Sequence, residues 1–180
     1  MDAIFDPFND RKARDIRNSL SAALVSDLGS GTGVGVDMVT DAWMKENLPA
    51  PYRGYIRKTL ERYRRVADQI KSASIRDPKY QAVVLWNAGL FFELHELLET
   101  VWRVARSEAR TGLKGLIQAA GVYVHQSSGN TVASRGLAVR ARRNLIAGRG
   151  HLDFVTDIDR LIQCLEEPSR PPPVLQAAQK

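Results

Sequence analysis

Cysteine is almost absent from this sequence: Cys164 is the single one in 180 residues. That excludes an internal disulfide and a cysteine-built zinc site, and makes a reducing compartment the simplest expectation. Acid is in short supply, with 20 Asp and Glu against 26 Lys and Arg, a net charge of +6. The excess is moderate, below that of a dedicated nucleic-acid wrapper. Long hydrophobic runs are missing too. The apolar, charge-free stretch from Tyr80 to Phe92 is too short to span a bilayer and contains Asn87 and Gly89. The opening residues Met1-Asp2-Ala3-Ile4-Phe5-Asp6 carry acids where a signal peptide needs basic residues before an apolar run. The expectation is a cytoplasmic protein that does not enter a membrane. No convincing strand and no internal repeat is found.

What is present suits one globular fold. Hydrophobic residues make up 44% and charged residues 26%, which excludes a disordered or fibrous chain. Helical punctuation recurs along the chain. Asp6-Pro7 reads as a cap and first helical residue, with Ile16, Leu20, Ala23, Leu24 and Leu28 repeating at helical spacing behind it. Four glycines in the seven residues from Gly29 to Gly35 end that helix. This loop lacks the Lys-Ser/Thr of a P-loop and the dinucleotide spacing, so a flexible linker is expected. A short helix from about Asp37 to Glu46 and a long one from Pro51 follow, the latter with Tyr52, Ile56, Leu60, Tyr63, Ala67 and Ile70 as its stripe. Asp77-Pro78 repeats the cap-and-proline start, with helix to about Arg106, interrupted near Asn87 and Gly89. Further helices are expected over Leu113 to Ser128, from Asn130 to about Ala147, and over Phe154 to Glu166. The fold class is therefore all-α: a single-domain bundle of six or seven helices around a central antiparallel helix hairpin. Residues 1–75 read as an N-terminal extension packed on the core, 76–167 as the core, and 168–180, with Pro171-Pro172-Pro173, as a disordered tail.

The candidate site lies on that hairpin. At about 100° per residue, Leu90, Leu94, Leu97, Leu98, Val101 and Ala105 share an apolar face. Glu93, Glu96, Thr100 and Arg103 fall toward water. Phe91, His95, Glu99 and Trp102 line one edge of the apolar face, with His95 and Glu99 one turn apart. On the next helix Leu113, Leu116, Ile117, Ala120 and Val124 make the apolar face, and Gln118 and His125 share a line beside it. Gly121 between them would let a backbone or ligand approach. A short connection, about Ser107 to Gly112, makes the two helices antiparallel neighbours, so the polar lines are expected to face each other. Three tasks suit such a cluster. His95, Glu99 and His125 could ligate a divalent metal ion that activates water. Without metal, Glu99 could orient an imidazole for acid–base work, with Gln118 as orienter. The plainest use is a satisfied polar network that fixes helix register. His95-Glu96-Leu97-Leu98-Glu99 is not the zincin motif, since its fifth position is Glu.

The blocks Phe92-Glu-Leu-His-Glu-Leu-Leu-Glu-Thr-Val-Trp102 and Leu113-Lys-Gly-Leu-Ile-Gln-Ala-Ala120, with His125 and Gly129-Asn130, occur in order over about Asp77 to Ala147. In this they resemble the family catalogued as domain of unknown function 309. The resemblance implies an all-helical fold and little more: the family has no established activity, and its classification as a predicted metal-dependent hydrolase is a label and not a mechanism. The family's polar positions fall here on Glu93, His95, Glu96, Glu99, Trp102, Gln118, His125 and Asn130. Leu94 stands where the family often has Ala. Val124-His125-Gln126 stands where it often has a His-rich pair, which weakens a metal reading.

Two basic stretches point elsewhere. Arg53, Arg57, Lys58, Arg62, Arg64 and Arg65 lie on the long N-terminal helix, with Tyr52, Tyr55 and Tyr63 available for base stacking. Arg135, Arg140, Arg142, Arg143 and Arg149 lie between Thr131 and Gly150, where there is no acid. Either stretch could be a solvated face paired with acidic neighbours. Two function classes result. One is a metal-dependent, hydrolase-like site acting on a small molecule. The other is a non-catalytic helical interaction module that binds nucleic acid or an acidic protein through Arg53, Arg57, Arg64, Arg140 and Arg143. Exposed Tyr and Leu would also allow a homo-oligomer.

Overall fold

The structure, a computed structural model, describes residues 4–178. Met1 to Ala3, on which part of the signal-peptide argument rests, and Gln179 and Lys180 of the expected tail lie outside the described residues. The chain divides into two compact units, Met1–Arg76 and Asp77–Lys180. The described residues form eight α-helices and one short 3-10 turn, against the six or seven helices expected. The class is all-α. No helix among the described residues is long and apolar enough to cross a membrane.

The first unit contains α1 (Arg11–Ser30), α2 (Val34–Met44) and α3 (Ala50–Ser72). α1 starts at Arg11, not Pro7, because the Asp10 carboxylate takes the Ala13 N–H. Asp6 instead closes a turn on Phe8 and Asn9. Ile16, Leu20 and Leu24 of α1 and Ile56, Tyr63 and Val66 of α3 form the core. The glycine loop is an ordered turn and not a flexible linker. Gly31 and Gly33 both take positive φ, and the buried Asp27 carboxylate accepts the Gly35 and Val36 N–H groups at 2.9 Å each. The N-terminus of α2 thus has its anion built in.

The second unit contains α4 (Pro78–Asn87), α5 (Phe91–Val104), α6 (Ser107–Ser127), α7 (Thr131–Gly148), the 3-10 turn Arg149–His151 and α8 (Ile158–Cys164). Asp77 caps α4 through the Lys79 N–H. Asn130 caps α7 through the Ala133 N–H at 3.1 Å, and Gly129 closes α6 with φ of 74°. Gly89, at φ 67°, turns the chain between α4 and α5. Phe91, opening α5, lies 5.2 Å from Tyr123 near the end of α6, and Trp102, near the end of α5, lies under Arg110 near the start of α6. α5 and α6 therefore run in opposite directions. α7 then folds back on α6 along a seam of small residues. A Cβ on Gly115 would sit 2.6 Å from the Leu145 backbone nitrogen, and one on Gly148 would fall on the backbone of Gly112. No bulkier residue fits that approach without parting the helices.

The stretch from Pro168, expected to be disordered, is tied down over its last described residues. The Trp86 indole N–H donates to the Pro173 carbonyl at 2.7 Å. The Asn87 carboxamide donates to the Leu175 carbonyl at 2.8 Å and accepts the Leu175 N–H at 2.9 Å. Thr156 N donates to the Gln176 carbonyl, and Ala178 N to that of Phe154. Proline content predicted the lack of helix correctly but said nothing of this docking.

Candidate functional site

α5 presents the pair that its spacing predicted. His95 Nε2 lies 3.1 Å from Glu99 Oε1, and Arg103 Nη2 donates to Glu99 Oε2 at 3.4 Å. Both members of the pair are half-buried, at the edge of the apolar face formed by Leu94, Leu97 and Leu98. Phe91 belongs to a ring cluster, 5.2 Å from both Trp86 and Tyr123. Trp102 carries the Arg110 guanidinium 4.2 Å above its ring, and its indole N–H is buried with no acceptor among the described residues.

The opposite polar line does not face that pair. The Asn144 amide of α7 donates to Gln118 Oε1 at 2.7 Å. A Cβ on Gly121 would meet Leu137 of α7 at 2.6 Å. The line through Gln118 and Gly121 thus faces α7, and Gly121 serves helix packing, not ligand approach. Periodicity identifies a helix face but not which neighbour covers it, and α6 has α5 on one flank and α7 on the other.

His125 is set apart by register. The rings of Phe91 and Tyr123 face each other, so His95 stands level with residues near Gln118. His125 lies about two turns further along α6, about 10 Å at 1.5 Å per residue. Its carbonyl closes the helix, accepting from Ser128 Oγ at 2.8 Å and Asn130 N at 2.9 Å. Among the described residues no group of three or more His, Cys, Asp or Glu side chains could hold a metal ion. His95, Glu99 and His125 are therefore not gathered into such a group among the described residues.

The glutamates of α5 also differ from their expected places. Glu93 is buried, 5% exposed, where the wheel put it in water, and Glu96 is half-buried. α5 is covered by α4 as well as by α6, so its wet face is narrower than one apolar stripe implies. Asn130 caps α7 through its side chain rather than lining a site.

Several residues escaped the sequence reading. Tyr123 is 2% exposed and its hydroxyl has no hydrogen-bond partner among the described residues. Burial, and then the neighbouring Cys164, push its ionisation well above the usual phenol range. Asn144 and Asn87 are polar residues with tertiary partners, and no local pattern marks such residues.

The arginines separate into paired and unpaired. Arg64 donates to Asp37 at 2.9 Å, Arg142 to Glu166 at 2.5 Å and Arg149 to Asp159 at 2.7 Å. Arg135, Arg140 and Arg143 are exposed and pair with no acid among the described residues. They border a line of exposed aliphatics on α7: Val132, Val139 and Ile146, at 82%, 69% and 53% exposure. A seven-residue step returns to within about 20° on a helix, so the three share one stripe. Arg135 and Arg143 flank its centre at about 40° on either side. On α3 the tyrosines are turned from solvent. Tyr52 and Tyr63 are buried, and the Tyr55 ring stacks on Phe5 at 3.8 Å.

Residues 80–137, from α4 into α7, match the family described as Domain of unknown function (DUF309). The resemblance stated from the motifs therefore holds over that segment. No curated protein and no solved structure matches the chain.

Proposed function

Starting from that match, which names no activity, we infer that the chain is a non-catalytic helical interaction module. Its α7 outer face binds an acidic helical surface of a protein partner. The observation that carries this reading is the stripe of Val132, Val139 and Ile146 bordered by the unpaired Arg135, Arg140 and Arg143. Soluble helices bury such a heptad line when a partner is present. Burying one Val or Ile side chain fully contributes about 1.5–3 kcal/mol, so three together can offset a substantial part of the cost of association. The flanking cations set the partner's sign. Acidic side chains beside apolar knobs complement the face. A second copy would set arginine against arginine. Nucleic acid suits the stripe less well, because aliphatics interrupt the cations and the α3 tyrosines offer no open stacking surface.

The test is binding of a labelled amphipathic helical peptide with Leu at heptad positions and Glu beside them. Saturable binding that weakens at least tenfold in Val139→Asp and in Arg143→Glu is expected. The charge-reversed peptide should not bind. Failure to bind the acidic peptide at low salt, alongside binding to single-stranded RNA that weakens steeply with salt, would transfer the reading to nucleic acid.

A further inference from the structure

The C-terminal strap shows a second recognition surface, independent of the α7 face. We propose that α4 and the segment 154–156 form a groove for an extended, proline-led peptide of pattern Pro-x-Leu, and that the chain's own residues 171–178 occupy it as an exchangeable ligand. The occupant shows what the groove takes. Its side chains alternate: Pro173 and Leu175 are buried, Val174 and Gln176 exposed. Such alternation belongs to a strand lying on a surface. Its backbone is read directly. Trp86 holds the Pro173 carbonyl, and Asn87 clamps both the N–H and the carbonyl of Leu175. Val155 and Ala177 then pair as a single antiparallel bridge, flanked by the bonds of Thr156 to Gln176 and of Ala178 to Phe154. Main-chain pairing supplies affinity and two side-chain positions supply choice, as in strand-addition recognition of peptides.

Nothing in these contacts requires the peptide to belong to the same chain. The tether between α8 and the strap, residues 165–170, is mostly exposed; its side-chain bonds are that of Arg170 to Glu167 at 2.8 Å and that of Arg142 of α7 to Glu166. Covalent attachment gives the strap a high effective concentration, which keeps out a free peptide until the tether is cut or drawn away. A cut is therefore the means of testing it.

A protease-recognition sequence placed between Ser169 and Arg170 lets the whole chain fold before cleavage. A labelled peptide of residues 170–180 should then bind the cut protein saturably and the uncut protein at least tenfold more weakly. Asn87→Ala should reduce binding to the cut protein at least tenfold while leaving its helical circular dichroism unchanged. A peptide carrying Leu175→Asp should not bind. Three results would overturn the proposal: a severed strap that never exchanges, loss of helical signal when it leaves, or equal binding of the Leu175→Asp peptide. If Asn87→Ala does not fold, Asn87→Asp in the cut protein serves instead. It removes the donor to the Leu175 carbonyl, and binding as tight as that of the parent would count against the groove.

Discussion

The two faces of α7 obey opposite rules. Inward, toward α6, there is no spare space: Gly148 abuts Gly112, and Gly115 lies under Leu145. Outward, Val132, Val139 and Ile146 stand in water, and a Cβ on Gly136 would meet nothing within 4 Å. Glycine and aliphatic residues occur on both sides, while Arg135, Arg140 and Arg143 lie on the outer side alone. The difference lies in what covers the face. A helix face whose every atom has a partner answers a question of stability. An apolar face with none points to an interaction.

Identical substitutions should therefore have opposite signs across the helix. Gly148→Ala drives a methyl group into the Gly112 backbone and should cost about 3 kcal/mol, read as a lower urea midpoint. Gly136→Ala, on the open side, should raise stability by about 0.5–1 kcal/mol through helix propensity alone. Equal losses in the two variants would mean that the outer face is as constrained as the inner one. Asn144→Ala deletes the amide that spans the seam to Gln118 and should cost about 1 kcal/mol in the same assay.

Tyr123 tests the interior by pH. Its ionisation is raised in the folded state, so the neutral phenol is favoured there. Below pH about 10 neither state ionises and stability is unaffected. As pH rises past that value the unfolded chain ionises first, and stability falls. Tyr123→Phe should blunt this alkaline loss and, by removing an unpartnered buried hydroxyl, leave neutral-pH stability equal or slightly higher. The smallest effect is expected for Glu99→Gln. The His95–Glu99 pair has side chains 35% and 36% exposed, so its loss should cost under about 1 kcal/mol. A large loss there would show that the pair does more than join two surface groups.

Local chemistry was legible in the sequence, and tertiary choice was not. Asp77-Pro78 and Gly129-Asn130 gave their helix boundaries correctly because a cap is written in adjacent residues. The i,i+4 spacing of His95 and Glu99 was sufficient to predict their bond. Asp6-Pro7 misled because Asp10, four residues on, is an equally good cap and is the one used. Gln118 was placed on the correct line and the wrong neighbour, since 3.6-residue periodicity is silent on which helix lies opposite. His125 matches the cluster in side-chain type but not in axial level, which a helical wheel does not carry. The heptad spacing of Val132, Val139 and Ile146 is present in the letters, but that no helix covers it is a tertiary fact.

The bond from Trp86 to Pro173 joins residues 87 apart in the chain. Contacts of such long sequence separation carry the greatest loop-closure cost and form late. Seating of the strap is thus expected to be the last event of refolding in its unit, after the hairpins have closed. The Trp86 indole, held at its nitrogen only when that event is complete, is a natural fluorescent clock for it.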